Sequence, residues 1–185
     1  LYAHLPSIRI TDLLADVDRW TGLTDCFTHL TTGRPHDDPR AILTVVLADA
    51  TNLGHARMAE ACGLVTQRQL GWLSAWHLRE DSYGAALARL ADAQHRIPLA
   101  AMFGSGIASS SDGQNFPLDR RAQATGAINP HKGSDPAVSF YTHVSDRYAP
   151  FHSRVISAGA GEAAHVLDGL LHHGADLAIE RHHTD

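Results

Sequence analysis

Ala137-Val-Ser-Phe-Tyr-Thr-His-Val-Ser145 is the stretch of this sequence that decides its fold. Its β-branched and aromatic residues are typical of a strand. A turn over residues 146–150 connects it to the stretch 151–157, which has the same character, so the pattern predicts a hairpin. Another strand is predicted near Gly106–Asp112, in a run of small residues and serines, with Asp112 at its end.

A helix and a last strand follow the hairpin. Glu162–His172 carries apolar residues at helical spacing, and Gly174 ends this helix. Asp176–Arg181 then reads as a short strand that leads to Asp185. The order strand, strand, strand, helix, strand predicts an α/β fold with a mixed sheet, in which the first and fourth strands are neighbours.

The residue pattern of the N-terminal half predicts helices. Asp38 followed by Pro39 supplies an N-cap and a proline at the first helical position, for a helix that ends at Gly54. Thr66 and Gln69 match the spacing of a capping box, which predicts the start of a later helix. Helical spacing predicts that three tryptophans lie in the core, namely Trp20, Trp72 and Trp76.

The apolar period changes from helical to alternating after Pro98. We therefore predict two domains, a helical region over residues 1–98 and an α/β region over residues 99–185. The chain starts without methionine and stops on Asp185 with no closing element, so we expect a fragment of a longer protein.

The composition excludes several classes of protein. Hydrophobic residues at 44% and charged residues at 19% are typical of a folded globular chain. No apolar run is long enough to span a membrane, and the N-terminus lacks the pattern of a signal peptide. Two cysteines, Cys26 and Cys62, form no disulfide or zinc pattern, which fits a reducing cytoplasm. The net charge of −5 argues against a chain that mainly coats nucleic acid.

Two aspartates stand out by their predicted positions. Asp112 ends an otherwise uncharged strand, and Asp185 follows the fourth strand. If these strands are neighbours, the carboxylates converge, and convergent carboxylates bind Mg²⁺ well because the ion prefers oxygen ligands. Spacing alone leaves a second interpretation open, in which Asp112 is a turn residue and Asp185 an unrelated acid.

Two other groups of residues are also candidates for a functional site. The histidine pairs 172–173 and 182–183 flank the last predicted strand, but neighbouring side chains diverge on a strand, so we expect solvated surface histidines. One member of the pair 182–183 is a candidate to stand beside a metal. A polar loop over residues 115–135 contains four basic or imidazole side chains, Arg120, Arg121, His131 and Lys132, a weak signal for phosphate contacts.

Longer runs of the sequence resemble the transposases of the Tn3 family. The resemblance covers nearly the whole chain in one order. It is carried by Arg9–Gly22, Phe27–Leu30, Leu47–Gly54, Met58–Glu60, Ala91–Arg96, Ser109–Gln114, Phe140–Asp146, Tyr148–His152, Val166–Leu171 and His183-Thr-Asp185. One departure lies in the last run, where His183 stands in place of the family's frequent tyrosine.

This resemblance implies a large transposase with an RNase H-like catalytic domain and a DDE triad of two aspartates and a glutamate. Asp112 matches the first aspartate and Asp185 the second, and both would be catalytic metal ligands. The glutamate is expected beyond Asp185, so residues 99–185 would be the N-terminal part of the catalytic domain. The implied cofactor is Mg²⁺, or Mn²⁺ in its place, with Asp112 bridging two ions.

The implied partners are the terminal inverted repeats of the transposon, target DNA, and further copies of the chain in a homo-oligomer, without a membrane. On this interpretation the full protein cleaves transposon ends and transfers their 3′ ends in DNA transposition in the bacterial cytoplasm, while this fragment alone is inactive. Two alternatives remain: an inactive remnant that only binds DNA or a partner, and a histidine-rich metal hydrolase unrelated to DNA.

Overall fold

The computed structural model describes residues 6–118, 126–128, 135–159 and 161–184. It divides into two compact units, Leu1–Ala86 and Leu87–Asp185. The predicted domain boundary near residue 98 remains a prediction. No helix in the described residues is long and apolar enough to cross a membrane.

The first unit is helical. Its elements are α1 (Ile10–Thr21), a 3₁₀ turn (Leu23–Cys26), α2 (Pro39–Ala50), α3 (His55–Cys62), α4 (Gln67–His77) and the start of α5 (Glu80–His95). The core contains fully buried apolar side chains, among them Phe27 just after the 3₁₀ turn, Ile42 and Val45 of α2, and Leu70 of α4. Burial of such side chains is the main source of stability for a helical unit of this size.

The two predicted helix starts are confirmed. The Asp38 carboxylate accepts a hydrogen bond from the Arg40 backbone N–H at 3.0 Å, and Pro39 occupies the first helical position. At α4, Gln69 N–H donates to Thr66 Oγ1 at 3.3 Å, while Thr66 N–H donates to Gln69 Oε1 at 2.9 Å. This reciprocal pair is a complete capping box, so local sequence alone determines where these two helices begin.

Two expectations about this unit are wrong. Helix α2 ends at Ala50 instead of Gly54, because Asn52 adopts a left-handed backbone with φ 51°. Gly54 instead precedes α3, a helix that the pattern did not predict. The tryptophans are not core residues, since Trp20 is 70% exposed, Trp72 46% and Trp76 38%. On α4 the core positions belong to other side chains, Leu70 and Leu73.

The second unit contains the sheet. After a 3₁₀ turn (Ala100–Met102), its elements are β1 (Ala108–Pro117), β2 (Ala137–Ser145), β3 (Pro150–Ser157), α6 (Ala163–Leu171) and β4 (Arg181–His183). The strand order in the described residues is β3-β2-β1-β4, with β4 parallel to β1 and the other pairs antiparallel. The predicted hairpin, the predicted α/β class and the adjacency of the first and fourth strands are confirmed. The arrangement is consistent with an incomplete RNase H-like fold.

Helix α6 and the end of α5 cover one face of this sheet. The buried cluster there consists of Ala91, Ala149, Phe151 and Leu177. Phe151 reaches it because the β2–β3 register shifts between His143 and Val144, which leaves Phe151 as an extra residue on β3. The predicted helix Glu162–His172 is confirmed within one residue at each end.

Two strand boundaries differ from the prediction. Strand β1 continues to Pro117, because Asn115 and Phe116 pair with β2, so the predicted loop begins later than expected. Strand β4 covers only Arg181–His183 instead of residues 176–181. The preceding residues have other contacts: the backbone N–H of Asp176 donates to the Asp92 carboxylate at 2.8 Å, and Leu177 packs in the buried cluster. The four basic and imidazole side chains predicted in the loop lie outside the described residues.

Candidate active site

Asp112 lies in the middle of β1, directly opposite Thr142 of β2. The prediction that it ends its strand is therefore wrong, although the prediction of a strand there is confirmed. Its side chain is exposed, and its Oδ1 accepts a hydrogen bond from the Gly113 backbone N–H at 2.7 Å. This bond holds one carboxylate oxygen against the backbone.

The two faces of β1 differ in character. Ser109 and Ser111 are buried beneath the helices, whereas Ser110, Asp112 and Gln114 face outward and are exposed. This alternation follows from the two-residue period of a strand. Asp112 consequently lies on the face of the sheet that no helix in the described part of this unit covers, which we call the uncovered face.

The uncovered face around Asp112 is partly polar and partly apolar. Between β2 and β3, the hydroxyl groups of Thr142 and Ser153 form a hydrogen bond of 3.1 Å. Toward the other end, the rings of Phe116 and Phe140 pack edge to face with centroids 5.3 Å apart. The face therefore offers hydroxyl and carboxylate oxygens beside exposed aromatic rings.

Asp185, the second predicted ligand, lies outside the described residues. Strand β4 ends two residues before it in sequence, at His183. The three parallel pairs of β1 and β4 are 108 with 181, 109 with 182 and 110 with 183, a constant offset of 73 residues. Asp112 and Asp185 are separated by the same 73 residues. The convergence of the two carboxylates remains a prediction, and this register supports it.

A network of polar side chains lies on the covered face of the sheet, directly behind Asp112. His182 Nδ1 and Ser109 Oγ are 2.8 Å apart, and His182 Nε2 and Ser111 Oγ are also 2.8 Å apart. The Ser111 hydroxyl forms a further hydrogen bond of 2.7 Å with the Tyr141 hydroxyl. One imidazole of β4 is thus joined to two serines of β1, the second of which immediately precedes Asp112.

His143 supports this network from β2. Its side chain is fully buried, its Nε2 lies 3.1 Å from the Val166 carbonyl oxygen, and its ring stacks on His182 with centroids 5.3 Å apart. Burial lowers the pKa of His143 to about 4, so the imidazole is neutral at pH 7. Burial also lowers the pKa of His182, with a smaller contribution from the neighbouring His183.

The histidine pairs diverge as predicted, but only half of these side chains are solvated. His172 and His183 are exposed, whereas His173 and His182 are partly buried. In the ranges that the structure describes, no group of three or more histidine, cysteine, aspartate or glutamate side chains could hold a metal ion. Sequence reasoning missed the network of His182 and the buried His143. The alternating Ser109 and Ser111 were the available signal for a polar layer on the covered face.

The start of β1 is fixed by the turn between β2 and β3. The Arg147 guanidinium donates to three backbone carbonyls, those of His95 at 2.7 Å, Ser105 at 3.0 Å and Gly104 at 3.1 Å. The adjacent Asp146 carboxylate accepts from the Gly106 N–H at 3.0 Å. The Ser105 hydroxyl also donates to the Asp146 carboxylate, at 3.2 Å. These charged hydrogen bonds hold residues 104–106, and therefore also the start of the strand that carries Asp112.

An exposed aspartate on a mixed sheet whose first and fourth strands run parallel defines an incomplete RNase H-like α/β domain. The family model of the Tn3 transposase DDE domain matches residues 12–185, and the chain belongs to this family. The predicted resemblance is thereby confirmed.

Named relatives agree with this assignment. The chain is 52% identical to the transposase for transposon Tn3926 and 51% identical to that for transposon Tn21, both of Escherichia coli. It is 50% identical to the transposase for transposon Tn501 of Pseudomonas aeruginosa. Each similarity covers 98% of this chain but only 18% of the relative. The comparisons support a transposase fragment, not the alternative of an inactive binding module.

Proposed function

We propose that this chain is part of a Tn3-family transposase that cleaves DNA at transposon ends and joins the freed 3′ ends to target DNA. The single observation that carries the proposal is Asp112, an exposed carboxylate on the uncovered face of a sheet whose family is the Tn3 transposase DDE domain. The proposed substrates are the terminal inverted repeats and target DNA, acted on by a homo-oligomer in the bacterial cytoplasm.

The oxygen donors of the site fit a divalent cation. Asp112 presents a carboxylate, and Thr142 opposite it presents a hydroxyl on the same face. Mg²⁺ and Mn²⁺ prefer such oxygen ligands and retain several waters. We propose that Asp112 and Asp185 hold Mg²⁺, with Mn²⁺ as a substitute, and that the third carboxylate lies in the remainder of the longer protein.

When bound, divalent ions at such a site activate the attacking oxygen and stabilise the leaving oxygen of a phosphodiester. The residues of this chain supply the fixed geometry. The hydrogen bond from Gly113 N–H holds the Asp112 carboxylate in one orientation, so little ordering is required when a cation binds. The rigid pairing of β1 with two neighbouring strands limits motion of the Asp112 backbone.

Substitution of Asp112 in the full transposase tests this proposal. Asp112→Asn keeps the shape of the side chain but removes its charge, so both DNA cleavage and strand transfer should be lost while binding of the inverted repeats persists. Asp176→Asn is the matched control, because it removes an exposed aspartate of the same unit away from β1. Strand transfer at the wild-type rate by Asp112→Asn would refute the assignment.

A change of metal distinguishes a ligand from a structural residue. Asp112→Cys places a soft thiolate where a hard carboxylate stood, so activity should be lost with Mg²⁺ and partly restored with Mn²⁺. Equal loss with both ions, in a variant that still binds the repeats, would argue against metal binding by Asp112.

A further inference from the structure

We propose that His182 is a positioning residue, which sets the register of β4 on β1 and thereby the relative placement of Asp112 and Asp185. The effect of this register on metal binding rests on the proposed function. The structural part rests on the two hydrogen bonds of the His182 ring to Ser109 and Ser111.

Strand β4 needs a side-chain interaction to set its register because it is short. It comprises three residues and pairs only with β1 in the described part of the chain. At its start, the N–H groups of Glu180, the residue before β4, and Arg181, its first residue, both donate to the Ile107 carbonyl, at 2.8 and 3.1 Å. In the described residues the β1–β4 ladder has three residue pairs, and so short a ladder specifies a register weakly, since a shifted strand can form a similar number of backbone bonds.

The side chains of β1 distinguish the observed register from its alternatives. A slip of one residue would turn His182 to the opposite face. A slip of two would move it by about 6.6 Å while keeping its face. Shifted one way, His182 would lie beside Ser111 and Gly113, and shifted the other way beside Ile107 and Ser109. Each shifted position offers one hydroxyl, whereas the observed position offers two.

Both hydrogen bonds are compatible with a neutral imidazole. One ring nitrogen donates and the other accepts, and each serine hydroxyl can do either. Ser111 is itself tied to the Tyr141 hydroxyl, a residue only 2% exposed, so the bridge has a fixed anchor on β2. The ring of His143 stacks against the ring of His182 and adds a further contact from β2.

The bridge connects the two strands next to the proposed ligands. Ser111 directly precedes Asp112, and His182 lies three residues before Asp185. A slip of β4 by two residues would therefore displace one carboxylate-bearing strand by more than the span of a metal–ligand bond. The His182 bridge excludes that slip.

The test uses the full transposase with Mn²⁺ alone as the probe. His182→Phe retains an aromatic ring but removes both hydrogen bonds, and it should raise the Mn²⁺ concentration for half-maximal cleavage by about 10–100-fold, the range for loss of groups that orient metal ligands. His182→Gln keeps a donor and an acceptor and should show a smaller increase. His172→Phe, at an exposed histidine of the same unit, is the control and should match the wild type.

Wild-type Mn²⁺ dependence in His182→Phe would overturn the proposal, as would equal defects in the Phe and Gln variants. If His182→Phe does not fold, Ser109→Ala and Ser111→Ala each remove one bond and should each give a partial increase. No increase in either serine variant would also overturn it.

Amide hydrogen exchange separates this proposal from the proposed function. The amides of Glu180 and Arg181 should exchange faster in His182→Phe, while those paired between β2 and β3 stay protected. Unchanged exchange at these two amides would overturn the register role. If Asp112→Asn cleaves DNA normally, the metal-site assignment has failed, and the exchange result still decides the role of His182.

Discussion

Gly169 of α6 leaves space for the imidazole of His143, because a Cβ at residue 169 would overlap a ring carbon and both nitrogens of that side chain. Since His143 is fully buried against the sheet, its ring cannot move aside without disturbing its neighbours. Helix and sheet therefore approach each other closely at this point.

Gly169→Ala should destabilise the protein by about 1–3 kcal/mol, the usual cost of overpacking. The measurement is the free energy of unfolding in urea, followed by circular dichroism. Gly84→Ala is the matched control: a methyl group added at this helical glycine would meet open space, so the substitution should stabilise by about 0.5–1 kcal/mol. Destabilisation by both substitutions would show that steric overlap with His143 is not the cause.

The buried His143 should make the protein sensitive to acid. Its folded-state pKa is about 4, against an ordinary value of 6.5, so between these pH values the unfolded chain binds a proton that the folded chain does not. The contribution of His143 to the free energy of unfolding is therefore fully present above pH 6.5. It is lost as the pH falls toward 4, and the loss reaches up to about 3 kcal/mol.

The partly buried His152, His173 and His182, whose pKa values burial also lowers, should add to this effect. Urea unfolding at pH 7.5 and at pH 5 measures the total difference. His143→Phe should reduce the acid dependence, and an undiminished pH difference in that variant would contradict the role given to His143.

Arg147→Lys should loosen the segment that precedes β1. A lysine ammonium cannot reach all three carbonyls that the guanidinium joins, so we expect a loss of about 2–4 kcal/mol in the free energy of unfolding. Arg96→Lys, the same change at an exposed arginine, should cost less than about 0.5 kcal/mol. Equal stability of the two variants would show that the three bonds contribute little.

Thr66→Ala should destabilise by about 1 kcal/mol, because it leaves the Gln69 N–H at the start of α4 without its cap. Thr66→Ser retains the hydroxyl and should remain close to the wild type. Thermal unfolding of the three proteins measures the difference. A serine variant as unstable as the alanine variant would assign the effect to the lost methyl group instead of the cap.

The helix starts and the hairpin, which the sequence predicted correctly, are features that neighbouring residues determine. The N-cap of Asp38 and the capping box of Thr66 each need only residues two or three positions away. The hairpin of β2 and β3 depends on one turn between two strand-forming runs. The end of α2 was missed because Asn52, a residue that tolerates a left-handed backbone, ends the helix before the glycine does.

The sequence by itself determined the helix starts, the hairpin, the α/β class and the candidate Asp112, since local hydrogen bonds and apolar periodicity are readable from adjacent positions. Only the tertiary structure decided that Ser109 and Ser111 meet His182, and that His143 is buried with a lowered pKa. These contacts join residues more than 20 positions apart, so they depend on the path of the chain through the sheet. The same path places α6 over one face and leaves Asp112 on the other.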